Sequence, residues 1–151
     1  MKKAVIKFLA TGTYTGYSPV MPGTVGTLWG VVISWLISTS PAYEQVLAIM
    51  AVSAASVYLA SGQARNTGEK DPGSIVCDEV AGFMVAVFLI PFTLFNVILV
   101  FILFRFFDIL KPYPVGAIDR KASGGLGIVL DDIMAGIDAN IVAHIVLWAI
   151  G

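Results

Sequence analysis

VAGFMVAVFLIPFTLFNVILVFILF, residues 80–104, decides how this chain folds, because it holds 25 residues without a charge and a proline near its middle. As one helix it would run about 37 Å at 1.5 Å per residue, more than a hydrocarbon core of ~30 Å requires. Pro91 lacks an amide proton and its ring clashes with the preceding turn, so a break there is the natural reading. The charges on either side choose between the two. With a break at Pro91 the chain has five apolar helices and every basic residue falls on one side of them: Lys2, Lys3 and Lys7, then Arg65 and Lys70, then Arg105, Lys111, Arg120 and Lys121. The other side receives only residues 38–43, the Pro91 turn and the C-terminus. A single span would carry the last four basic residues across, against the bias that keeps Lys and Arg on the cytoplasmic side. Residues 80–104 are therefore a short hairpin, re-entrant or fully spanning, with both ends at the cytoplasmic face.

The rest of the composition agrees. Of the 151 residues 58% are hydrophobic and 13% charged, where an ordinary soluble domain carries about 25% charged residues, and mean hydropathy is +0.88. So little polar side chain cannot coat a small globule, whose surface-to-volume ratio is high. The expected fold is all-α: a polytopic membrane helical bundle, one domain over residues 1–151, with about five apolar helices. Residues 1–10 suit an amphipathic helix with its lysines toward the headgroups. The uncharged Gly/Thr/Pro-rich stretch before Pro22 reads as a loop. Apolar helices follow over 23–37 and 44–60, the second rich in the small residues that let helices approach in lipid. Residues 61–74 read as a polar loop, and the last helix spans roughly 131–150. A net charge of −1 with no basic arm excludes nucleic acid as a partner. Cys77, the one cysteine, excludes an internal disulfide and a zinc constellation and reads as core. Lys7 interrupts the N-terminal apolar run, so no signal peptide is expected.

Chemistry concentrates in residues 105–136, RFFDILKPYPVGAIDRKASGGLGIVLDDIMAG, which hold four of the nine basic residues and four of the seven aspartates. The hairpin topology brings two acidic pairs to one membrane face in matching contexts, GSIVCDEVAG around Asp78 and Glu79 and GIVLDDIMAG around Asp131 and Asp132. One acid at each helix N-terminus would complement the helix dipole, worth about 0.3–1 kcal/mol. Two adjacent acids on each helix repel one another unless a cation or proton compensates. Clustered carboxylates without His or Cys neighbours suit a hard cation such as Mg²⁺. Arg105, Asp108 and Lys111, at i, i+3 and i+6, share one side of a helix end and suit a phosphate clamp beside those acids, although an exposed ion-pair ladder would look the same. Asp119, Arg120 and Lys121 follow. The glycine-rich turn at 123–127, centred on Gly125, can present backbone N–H groups to a phosphate, although a plain glycine-rich linker would look the same. Asp138 and His144 lie in the last apolar helix, away from this constellation. With one histidine the chain builds neither a two-histidine phosphatase site nor a Ser–His–Asp triad, and no DxDxT or Cx₅R motif is present.

Three blocks, GTYTGYSPVMPGTVGTL from Gly12, DPGSIVCDEVAG from Asp71 and FRFFDILKPYPVGAIDRKASGGLGIVLDDIMAG from Phe104, resemble the signature blocks of the phosphatidylglycerophosphatase A family in order and spacing. The resemblance implies a bacterial inner-membrane, Mg²⁺-dependent lipid phosphatase with its site on the cytoplasmic face. Its phospholipid substrate would be phosphatidylglycerophosphate, converted to phosphatidylglycerol and inorganic phosphate. It places the family's acidic positions on Asp78, Glu79, Asp108, Asp119, Asp131 and Asp132, and its basic ones on Arg105, Lys111 and Arg120. The expected mechanism is metal-assisted hydrolysis of a phosphomonoester. Asp78, Glu79, Asp131 and Asp132 hold the metal, the basic residues neutralise the phosphoryl charge, and Asp108 or Asp119 serves as general base. A covalent aspartyl-phosphate at Asp119 or Asp108 is the other chemical route. The rival outside enzymology is a small cation transporter or channel subunit using the acids as an ion path, which predicts acids spread through the depth of the membrane.

Overall fold

The computed structural model describes residues 2–111 and 124–151. Six α-helices make up the described residues, with no strand among them: α1 Lys2–Ala10, α2 Pro22–Ile37, α3 Ala42–Thr67, α4 Cys77–Ala86, α5 Leu94–Leu110 and α6 Gly124–Ile150, plus a 3₁₀ turn at Thr15–Tyr17. The all-α bundle with a break near Pro91 is the expected architecture.

α4 is the axis. Eight of its ten residues are buried, and α2, α3 and α6 all pack on it. After Cys77 the helix carries two acids and continues Val-Ala-Gly-Phe-Met-Val-Ala, so after the first turn it offers small or apolar side chains all round, the pattern of a helix enclosed by others. Phe83, Val100 and Phe104 fill the space beside it, against Ala135, Ala139 and Ala143 of α6. Small residues on both α4 and α6 let their backbones approach. A Cβ on Gly82 would come to 2.6 Å from the Asp132 carbonyl oxygen and 2.8 Å from the Phe104 ring, and one on Gly136 would overlap the Gly82 carbonyl. The two glycines that end the matched acidic segments thus lie against each other, a close crossing of the kind small residues permit in membranes.

The hairpin turn is held at both ends. Thr93 caps α5 by accepting from the Asn96 amide at 3.3 Å, and Asn96 Nδ2 donates to the Pro91 carbonyl at 2.9 Å. From α6, Asn140 Nδ2 donates to the carbonyls of Ala86 and Phe88, both at 2.9 Å, satisfying groups that the end of α4 leaves open. Asn140→Ala leaves two carbonyls without that donor, at about 1–3 kcal/mol for a buried orphan. The variant is expected to melt lower in detergent micelles, and an unchanged midpoint would mean that the turn does not depend on this side chain.

Among the described residues two helices are long and apolar enough to cross a membrane, Ala42–Thr67 and Gly124–Ile150, and only 17% and 22% of their most apolar stretches are buried inside the bundle. Their apolar side chains face outward, as lipid requires. α2 is a shorter apolar helix. α4, at ten residues, is about 15 Å long and is too short to span.

Two boundaries differ from expectation. α3 continues seven residues past Ala60, through the polar segment read as loop, and stops at Gly68, whose φ of 77° is left-handed. Polarity there marks the exit from the apolar zone, while the backbone bonds of the helix continue regardless. α6 begins at Gly124 rather than near Asp131. Gly125 serves packing: a Cβ there would overlap the Ser61 amide and come to 2.5 Å from the Val57 carbonyl.

Candidate active site

Asp78 and Glu79 occupy the first turn of α4. Asp131 and Asp132 are the eighth and ninth residues of α6, two turns inside it, and both are buried. The Gly82–Gly136 crossing sets these positions side by side. One oxygen each from Asp78, Glu79 and Asp132 lies within 4.8 Å of the others. A cavity of about 170 Å³ opens beside them. Lys70, Asp71 and Gly73 line it from the segment before α4, Asp108 and Lys111 from α5, and Gly124, Gly127, Asp131 and Asp132 from α6.

The charges in this cavity are incompletely matched. Asp78 Oδ1, Glu79 Oε2 and Asp132 Oδ2 are buried without a hydrogen-bond partner among the described residues. Burial pushes the Asp78 carboxyl up to about 6. It pushes Glu79 well above the usual carboxylate range, with the neighbouring Asp78 charge raising it further. Three all-oxygen donors converging at this distance, each with an unused buried oxygen, fit a hard divalent cation. The dipole explanation covers Asp78 and Glu79 but fails for Asp132, which stands beyond the first turn of α6, where that effect has decayed.

The other expected site residues are placed as follows. Asp131 lines the same cavity, but its carboxylate pairs with the Lys111 ammonium and it is not one of the three converging acids. Lys111, at the end of α5 with φ 44°, supplies a positive charge to the cavity wall. Arg105 does not line the cavity. It stands behind it, 2.5 Å from Asp108 Oδ2 and 3.8 Å from Glu79 Oε1, and so bridges two acids of the wall. Gly124 and Gly127 line the cavity, whereas Gly125 is turned onto α3. The expectations for Asp119, Arg120 and Lys121 lie outside the described residues. Asp138 and His144 are absent from the cavity lining.

Sequence reasoning passed over Lys70. It lies in what looked like an ordinary polar loop, yet it lines the cavity and no acid pairs with it among the described residues. The one available signal was its place just before the DPGSIVCDEVAG block. The buried acids gather in one cavity at one end of the bundle, which removes the support for the cation-transporter reading.

The family described as Phosphatidylglycerophosphatase A matches residues 8–147. The chain is 36% identical over 130 residues to the phosphatidylglycerophosphatase A of Escherichia coli K12, covering 85% of this chain and 76% of that protein. It is 36% identical over 145 residues to the Haemophilus influenzae protein of the same name, with 95% and 89% covered. A Bacteroides thetaiotaomicron protein named putative phosphatidylinositol-3-phosphatase is 31% identical over 151 residues, with 95% and 94% covered. No solved structure matches.

Proposed function

The chain belongs to the phosphatidylglycerophosphatase A family, and from that premise we propose that it is a Mg²⁺-dependent phosphatase of the bacterial inner membrane, removing the terminal phosphate of phosphatidylglycerophosphate to leave phosphatidylglycerol. The observation that carries this reading is the convergence of Asp78, Glu79 and Asp132 within 4.8 Å, in the wall of a cavity that also presents Lys70 and Lys111.

Asp78, Glu79 and Asp132 would hold the cation. When bound, it supplies positive charge against the phosphoryl oxygens and the attacking water. The remaining steps belong to the protein. Lys111 and Lys70 stand where the terminal phosphate enters and offset the charge that spreads over its oxygens in the transition state. Asp131 holds Lys111 in place through their ion pair. Asp108 reaches the cavity with one carboxylate oxygen tied to Arg105, which orients it as the group to accept a proton from water. Asp119 and Arg120 keep the roles that the family resemblance gives them, as alternative base and as a phosphate contact. The diacyl part of the substrate stays in the leaflet, so only the headgroup has to reach the acids.

With Lys2, Lys3, Lys7, Arg65, Lys70, Arg105 and Lys111 all assigned to one side of the apolar helices, the cavity faces the cytoplasm. The test is phosphate release by the detergent-solubilised chain from phosphatidylglycerophosphate, run beside phosphatidic acid and phosphatidylinositol 3-phosphate, with Mg²⁺ and with chelator. Release should require the divalent cation and be fastest from phosphatidylglycerophosphate. Equal turnover in chelator would sink the metal assignment, and a preference for the inositol lipid would sink the substrate assignment.

A further inference from the structure

α2 enters the bundle with three glycines, Gly23, Gly26 and Gly30, at spacings of three and four, which puts them on one face of the helix. That face rests on α4 and on the residue that precedes it. What each glycine touches differs. A Cβ on Gly26 would strike the Val76 side chain, and one on Gly30 would come to 2.9 Å from Phe83 Cβ and 3.2 Å from the Val80 carbonyl. A Cβ on Gly23 would overlap Glu79 Oε1 and stand 3.0 Å from both terminal nitrogens of Arg105. Gly26 and Gly30 press on packing atoms. Gly23 presses on the charged tips of the Arg105–Glu79 pair.

We infer that Gly23 is a positioning residue for the acidic centre: its missing side chain leaves the space in which the Glu79 carboxylate stands beside Asp78 and Asp132. The local structure supports this. Met21 takes a left-handed conformation at φ 46° and Pro22 opens α2, which fixes the entry of the helix. The Gly23 carbonyl accepts from Thr27 Oγ1 at 2.8 Å, so the first turn is tied to the next. The helix therefore has little freedom to retreat, and the side that yields to an added methyl is the flexible end of Glu79 and Arg105. Displacement of those tips changes the site without opening the core, since no backbone atom of another element stands among the three nearest contacts. The same substitution at Gly30 meets the Phe83 Cβ and a backbone carbonyl, which cannot swing aside.

This inference rests on the metal reading given under the proposed function, and the test separates the two. Binding of Mn²⁺, as a paramagnetic stand-in for Mg²⁺, is titrated by electron paramagnetic resonance on the full detergent-solubilised chain, with thermal unfolding recorded on the same samples. Gly23→Ala is expected to weaken Mn²⁺ binding by about tenfold or more, the scale on which groups that orient metal ligands act, with a midpoint close to that of the parent. Gly30→Ala is expected to lower the midpoint and leave Mn²⁺ affinity unchanged. In Gly23→Ala/Glu79→Asp the shorter acid withdraws from the methyl, so Glu79→Asp should weaken binding less in the Gly23→Ala background than in the parent. A parent chain that binds no Mn²⁺ overturns the metal reading and this inference with it. A parent that binds while Gly23→Ala binds equally well, or a Glu79→Asp effect of the same size in both backgrounds, overturns the inference alone.

Discussion

Asp132→Asn loses phosphate release by at least about 100-fold, the lower end of what removal of one electrostatic contact to a transition state costs, while the purified protein melts no lower than the parent. The two halves of this result have one cause. Asp132 is 5% exposed, its Oδ2 has no hydrogen-bond partner among the described residues, and it faces Asp78 and Glu79 from the opposite helix. Held together without a cation, three acids repel, so removing one charge relieves the folded state. An amide of the same shape keeps the packing against α4 and withdraws the donor that completes the set. Asp78→Asn should behave in the same way. Asp138→Asn, on the same helix as Asp132 but outside the cavity, should leave turnover as it was. The measurement is phosphate release per folded molecule beside a thermal melt. Turnover surviving both Asp78→Asn and Asp132→Asn would eliminate the acidic centre as the seat of the reaction, and a large fall in midpoint would mean that these carboxylates serve packing.

Much of this architecture can be read from charge and proline alone. Lys and Arg occur only in segments that the Pro91 break places on one side, and this brings the ends of the hairpin, α3 and α6 together without any knowledge of packing. The matched acidic segments also stand in the sequence as text. What the text does not carry is the phase of the two helices. Asp131 and Asp132 are adjacent and look equivalent, yet both lie inside α6, and the roughly 100° between neighbouring helix positions directs Asp132 to the other acids and Asp131 to Lys111. The beginning of α6 was illegible because glycines signal turns and close contacts alike, and Gly125 is there for its contact with α3. Arg105 likewise looks like a phosphate ligand by spacing. The fold instead ties its guanidinium to Glu79 and Asp108 and leaves it out of the cavity lining. Lys70 was missed because an exposed lysine in a polar loop carries no local signal of what stands opposite.

Gly82→Val is expected to fail in the opposite manner, losing stability and turnover together. A branched side chain at position 82 points at the Asp132 carbonyl and the Phe104 ring, where even a Cβ would stand 2.6 and 2.8 Å away. Neither yields easily: the carbonyl belongs to the α6 backbone, and Phe104 is fully buried among Phe83, Val100 and Ala135. Overpacking of a close-packed interior costs about 1–3 kcal/mol, and the relief open to this site is to move α4 away from α6. That movement separates Asp78 and Glu79 from Asp132. The alanine variants make the argument quantitative. Gly82→Ala and Gly136→Ala enter one crevice from opposite sides, since Gly136 faces the Gly82 carbonyl, and the first to part the helices also makes room for the second. Their combined loss of stability should therefore fall short of the sum by about 0.5 kcal/mol or more, the coupling expected of residues in contact. Full additivity in unfolding measurements would mean that the two glycines do not share a crossing, and the mechanism by which the fold brings its acids together would have to lie elsewhere.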